Sequence, residues 1–284
     1  MKYGLSRTAS CQLENKPLEI YLFIDPFCSD CWYMTPIIKK LGIEYGSYFR
    51  IKHVLSGQLS ALNLNIKRSD RSAHSWRKTA SKLRISEDER ALFERSPHLA
   101  SIGIKAAELQ GKKAGTRFFH KLQQKLFMEQ KNISDIQTMV QCAAAAKLDA
   151  EEFMSDLFSN STVKAFQCDI NISAEMEITE IPSLVFFNEH IEDEGLKISG
   201  IYPYDIYVQI ISQMLEEEPI PAPLPPIEDF LKENIGASTK EIALIYDMSF
   251  DETERKLKKL ILQQKISKVN VKNGIIWTHH IPVS

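Results

Sequence analysis

No apolar run in the 284-residue chain approaches the roughly 18 residues that a membrane-spanning helix needs. The first nineteen residues hold Lys2, Arg7, Glu14, Lys16 and Glu19 and lack the continuous apolar core of a secretory signal, so a cytoplasmic protein is the expectation. Cysteine is sparse: five residues with one close pair do not make a disulfide framework. Neither a second CxxC nor a spaced histidine pair accompanies that close pair, so no metal and no cofactor is expected. Charge of either sign is not in excess, with 35 Lys plus Arg against 37 Asp plus Glu and a net charge of −2. Nothing global therefore points to a nucleic-acid or membrane partner. What remains is ordinary globular composition, 44% apolar, at a length that suits two domains or one domain with an appendage.

The most informative stretch is residues 20–41, IYLFIDPFCSDCWYMTPIIKKL. Residues 20–24 are apolar or β-favouring, and Asp25-Pro26 closes the run with turn chemistry, which predicts a buried strand. Cys28 and Cys31 follow where a helix must begin, with Trp32, Met34, Ile37, Ile38 and Leu41 as its apolar face. A thiol at a helix N-terminus meets unpaired N–H groups and the positive end of the dipole, which favours its ionised form. Pro36 lies inside that helix, and Ile181-Pro182 opens a distant apolar run. Strand, CxxC, helix with internal proline and distant X-Pro together resemble a thioredoxin fold. In that family the distant proline is cis and faces the cysteine pair, so a cis Pro182 is expected.

Three readings of the pair stay open. Cys28 as nucleophile and Cys31 as resolving thiol, facing Pro182, would make a catalytic redox site. A pair retained for packing or docking, with little turnover, is favoured by Asp30, because a carboxylate between the sulfurs opposes a thiolate. Metal binding would draw on Cys11 and a histidine as further ligands. Cys142, in an alanine-rich helical segment, and Cys168 are expected to be small buried or half-buried apolar residues. His279 and His280 are adjacent, point to opposite faces of a strand and are expected at the surface.

In chain order, residues 1–16 read as a flexible tail. A strand at 20–25, a helix at 27–45 and a second, parallel strand at Phe49–Leu55 follow. From about 56 to 174 helical spacing takes over, with breaks between Gly111 and Gly115 and at 132–135, the latter an N-cap. Further helices open at Asp149 and at Asn160 or Ser161. Strand character returns at 177–188 and 196–201, and Tyr204–Leu215 closes the domain. A long helical insertion between strands resembles the DsbA-like branch of the fold. The expected fold class is thus α/β: a DsbA-like thioredoxin domain (17–215, insertion 56–174) plus a small winged-helix-like unit (227–284).

Between them, 216–226 (EEEPIPAPLPP) carries five of the twelve prolines and reads as a semi-rigid polyproline spacer. Beyond it, Ile227–Asn234 is helical, Ser238 and Ser249 each begin a capping-box pattern, and two β-rich runs meet at Asn273-Gly274, a strong hairpin signal. Nine basic against eight acidic residues lie in 227–284. Asp251, Glu252 and Glu254 occupy the end of the helix that would approach bases, so protein binding is favoured over DNA.

Taken together, and most densely at 17–45 (PLEIYLFIDPFCSDCWYMTPIIKKLGIEY), the chain resembles the SpxH (YjbH) family of Gram-positive bacteria. That resemblance implies a cytosolic adaptor that binds the stress regulator Spx and promotes its degradation by the ClpXP protease. Cys28 and Cys31 match the family's CxxC. Some members carry a His- and Cys-rich amino-terminal stretch associated with zinc; residues 1–16 depart from it, holding Cys11 and no histidine. The alternative function is a cytosolic DsbA-like thiol-disulfide oxidoreductase or isomerase acting through Cys28 and Cys31. A DNA-binding redox sensor is a third.

Overall fold

A computed structural model describes residues 16–57, 97–188 and 195–280. The expected tail with Cys11 and the first part of the helical insertion, 58–96, lie outside the described residues. Four strands form the first sheet in the order β2-β1-β3-β4. Strand β1 (Leu18–Ile24) runs parallel to β2 (Phe49–Leu55), and α1 (Ser29–Glu44) makes the crossover between them. Strand β3 (Ser183–Phe187) is antiparallel to β1, and β4 (Leu196–Ser199) is antiparallel to β3.

Strand β1 is covered on both faces, which is why its sequence is a run of apolar residues and not an alternation. Leu18, Ile20, Leu22 and Ile24 enter the main core, while Phe23 packs with Val54, Ile178 and Val185 on the other side. The insertion shares the main core. Helix α2 (Pro97–Leu109) packs on α3 (Lys112–Phe127), α5 (Ala150–Leu157) and α6 (Asn160–Glu175), with α4 (Ile136–Ala145) against α3. Phe118, Leu122 and Leu126, spaced by four, form the buried stripe of α3. Asp135, Asp149 and Ser159 cap α4, α5 and α6 through their side chains. The break expected between Gly111 and Gly115 is confined to Gly111, at φ 120°. Gly115 lies inside α3, where a Cβ would meet the Glu108 Cγ at 2.4 Å, so its role is close helix packing. Helix α7 (Tyr204–Leu215) completes the unit.

A second core is built from α8 (Ile227–Asn234), β5 (Ala237–Ser238), α9 (Thr239–Ile245), α10 (Phe250–Leu262), β6 (Ile266–Val271) and β7 (Gly274–His279). The sheet order is β5-β7-β6. Trp277 fills the centre and donates its indole N–H to Thr239 Oγ1 at 2.9 Å. Ser238 and Glu241 form a reciprocal capping box on α9; on α10 the Ser249 hydroxyl accepts from the Glu252 N–H. The hairpin loop is Lys272-Asn273, because Val271 pairs with Gly274, one residue earlier than Asn273-Gly274.

The proline-rich stretch does not hold these two units apart. It is pinned along its length: Ile220 N–H to the Tyr48 hydroxyl at 3.0 Å, Ala222 N–H to the Glu44 carbonyl at 2.7 Å, and Tyr246 O–H to the Pro225 carbonyl at 2.8 Å. The units themselves touch along α1. Lys39 pairs with Glu241 at 2.6 Å, Lys40 with Asp247, and Ile43 packs on the second core. Lys121 reaches the Ile235 carbonyl, and the Gln124 amide reaches that of Gly236 at 3.2 Å. At the hairpin tip Asn273 donates its backbone N–H to Met128 O and its side-chain amide to Phe127 O, both at 2.9 Å. Among the described residues no helix is long and apolar enough to cross a membrane.

The Lys39–Glu241 pair is closed to solvent on both sides, with side chains 8% and 4% exposed. Glu241→Ala would leave a buried ammonium without its partner and remove half of the α9 cap, so a loss of about 3–5 kcal/mol is expected. A urea titration reads it directly. Lys39→Met combined with Glu241→Leu should recover most of that loss, since apolar groups of similar volume remove the desolvation cost together with the pair.

Candidate functional site

The sequence-predicted site assembles at the end of β1. Asp25, wholly buried, accepts the Phe27 N–H on Oδ1 at 2.9 Å, and its carbonyl accepts the Cys28 N–H at 3.1 Å. This turn delivers Cys28 to the N-cap of α1, with extended backbone (φ −80°, ψ 117°) and Sγ accepting the Cys31 N–H at 3.3 Å. The Ile181-Pro182 bond is cis, and Cys28 Sγ lies 3.9 Å from the Ile181 carbonyl. Cys28, Cys31 and the Pro182 loop are therefore neighbours, although 153 positions separate Cys28 from Ile181 in the chain.

Both thiols are free and both are buried, 2% and 3% exposed. The Cys31 thiol is pushed well above its ordinary range, chiefly by burial and then by its neighbour Cys28. A thiol that resists ionisation is a poor nucleophile and a poor leaving group. The sequence reading gave Asp25 only a turn role. The signal that could have found it was its position: a carboxylate ending an otherwise apolar buried strand, immediately before the cysteine pair.

Beside the buried sulfurs the surface opens into a groove of about 600 Å³, walled by both units. Trp32, Tyr33 and Pro36 of α1 form one side, Phe127 and Met128 the floor, and Leu244 with Phe250 the side contributed by the second unit. Trp32 stacks on Phe127 with centroids 5.8 Å apart. No single stretch of sequence marks this groove, because its walls come from α1, the end of α3, α9, α10 and the hairpin.

The other candidates fall elsewhere. Cys142 is fully buried, as expected, and burial pushes its thiol up to about 12. Cys168 is a correction: it is exposed. Helix α6 turns Thr162, Phe166, Asp169 and Ser173 inward at helical spacing, and position 168 falls off that stripe. His279 and His280 are each partly exposed and partly covered; the His280 Nδ1 lies 2.9 Å from Ser267 Oγ. Among the described residues no group of three or more His, Cys, Asp or Glu side chains is placed to hold a metal ion.

Residues 21–209 match the model of a thioredoxin family. Over 267 residues, 92% of this chain and 89% of the other, the sequence is 46% identical to the ClpXP adapter protein SpxH of Bacillus subtilis. It is 42% identical over 277 residues to the protein of the same name in Halalkalibacterium halodurans, covering 94% of this chain and 90% of the other. Among solved structures, a presumed protein disulfide isomerase of Nitrosomonas europaea superposes with a TM-score of 0.54 at 16% identity, over 70% of this chain and 96% of that one. At that identity the likeness concerns the fold alone.

The burial of the sulfurs has a direct consequence for labelling. Among the four cysteines of the described residues, N-ethylmaleimide should under native conditions modify Cys168 first, and Cys28, Cys31 and Cys142 at least about a hundredfold more slowly, by way of local opening. Peptide mass mapping over a time course reads the four sites separately. Rapid modification of Cys28 would contradict its burial.

Proposed function

The chain belongs to the thioredoxin family and, within it, to the SpxH family of ClpXP adapter proteins, and from that premise we propose that it is an adaptor that binds Spx and promotes its degradation by ClpXP. It works by holding its client and performs no chemistry on it. The single observation that carries this reading beyond family membership is the contrast at the site. The sulfurs of Cys28 and Cys31 are closed off, while the groove next to them is open, apolar and built from both units. A disulfide substrate needs an approachable thiolate, and burial leaves neither sulfur open to one. Cys28, Cys31 and Pro182 then serve as a retained packing site and not as a catalytic centre.

The working division of the chain follows the two cores: a DsbA-like thioredoxin unit over 17–215 with its helical insertion, the proline-rich connection 216–226, and 227–284 as a winged-helix-like unit by its element order. The second unit is a protein-binding element and not a reader of DNA. Its hairpin tip, which a winged helix would place on nucleic acid, is engaged by Phe127 and Met128. Acidic Asp251 and Glu252 occupy the first turn of α10, where phosphates would be repelled. The site of action is the cytoplasm, where ClpXP works.

Reconstituted degradation tests the proposal. Purified Spx should be degraded by ClpXP faster when this protein is added. A chain carrying both Cys28→Ala and Cys31→Ala, folded by its circular dichroism, should retain most of that acceleration. Failure of the native protein to accelerate degradation removes the adaptor reading. Complete loss in the folded double variant, together with Cys28-dependent reduction of a model disulfide by the native chain, would establish the oxidoreductase in its place.

A further inference from the structure

We propose that the groove between the two units is the client-docking surface, and that it receives an apolar segment of the client that carries a carboxylate, which pairs with Lys240. This rests on the adaptor reading and adds to it the place and the chemistry of recognition.

The first observation is solvent-exposed apolar surface gathered in one place. Tyr33, Leu244 and Phe250 are 46%, 38% and 50% exposed, and all three line this groove. Large aromatic side chains in a concave, partly desolvated site are the residues that carry binding energy at protein interfaces. Met128 on the floor can adjust its shape to an incoming side chain. A volume of about 600 Å³ suits a few side chains of a segment and not a whole domain.

The second observation is rigidity. The walls from the two units are fixed to each other by the buried Lys39–Glu241 pair and by Asn273 on Phe127 and Met128. Aromatic anchors held in place before the client arrives lose little freedom on binding, which favours affinity.

Charge selects the occupant. Two carboxylates border the groove, and both are satisfied from within: Glu241 by Lys39 at 2.6 Å and Glu254 by Lys258 at 3.0 Å. Lys240 also borders it, is exposed, and makes no ion pair among the described residues. The charge left for a client is therefore positive, and an apolar segment with an acidic side chain or a terminal carboxylate complements it.

The test measures binding of purified Spx to the full chain by isothermal titration calorimetry. Tyr33→Ala combined with Phe250→Ala should weaken binding about tenfold or more. Lys240→Glu should weaken it about threefold to tenfold, with the loss shrinking at high salt, and Lys240→Arg should restore it. Leu262→Ala, at a position 84% exposed and outside the groove, should change nothing. Urea midpoints equal to the native one exclude misfolding. Benzoylphenylalanine in place of Tyr33 should cross-link to Spx on illumination, and in place of Leu262 it should not. If the native chain binds and accelerates degradation of Spx while the groove variants bind equally well, the docking surface lies elsewhere and the adaptor reading stands. If the native chain does not bind Spx, both fall. If the variants alter only self-association, the groove is an interface between copies of this chain and the proposal is overturned.

Discussion

Helix α1 is the shared beam of the molecule, and the ion pair near its C-terminal half is the constraint on which the arrangement depends. Its first turn carries the cysteine pair; its third and fourth turns present Lys39 and Lys40 to Glu241 and Asp247. A salt bridge closed to solvent gives modest net stability, since the Coulomb attraction must offset the desolvation of two charges. What it provides is orientation. Glu241 also belongs to the capping box that opens α9, accepting the Ser238 N–H, so the carboxylate that helps to start this helix is the one that fixes it against α1. Any rotation of the second unit would strand the Lys39 ammonium in an apolar setting, and the proline-rich connection, bonded to Glu44 and Tyr48, follows the same register.

This constraint explains what is open and what is closed at the cysteine end. With the second unit seated on α1, Asn273 reaches the end of α3, and the hairpin tip becomes part of a wall instead of a free appendage. The groove is then a product of docking and not of either fold alone. A thioredoxin scaffold ordinarily offers its chemistry at this end of the sheet; here the adjoining surface is enlarged by a second unit and the sulfurs are withdrawn.

Local features were legible from sequence wherever the deciding interactions are local. The strand before the cysteines, β2 at Phe49–Leu55, helix α7, the N-caps at Asp135, Asp149 and Ser238, and the pairing of the hairpin all follow from apolar periodicity, side-chain capping and turn chemistry. Features that depend on a distant partner were not. Gly115 reads as a breaker until the approach of α2 is known, because only then does the absence of a Cβ become a packing requirement. Cys168 reads as a small apolar residue until the inward stripe of α6 is fixed by its neighbours. Residues 216–226 read as a spacer, since a sequence cannot show that Glu44 and Tyr48 will take hold of it.

The persistence of two cysteines in a protein proposed to do no redox chemistry has a physical account in the same geometry. Cys28 performs the work of an N-cap: its sulfur accepts the Cys31 amide, while its near-complete burial suits a group less polar than a serine hydroxyl. Cys31 is one of the residues of the main core, beside Met34 and Leu41. Serine at position 31 would bring a hydroxyl that must find a partner away from water, whereas a thiol tolerates the absence of one at far lower cost. Alanine at position 28 would lose the cap but little volume, a cost on the order of 1 kcal/mol. The motif is thus sufficient as packing and capping, and its presence does not by itself require that electrons move through it.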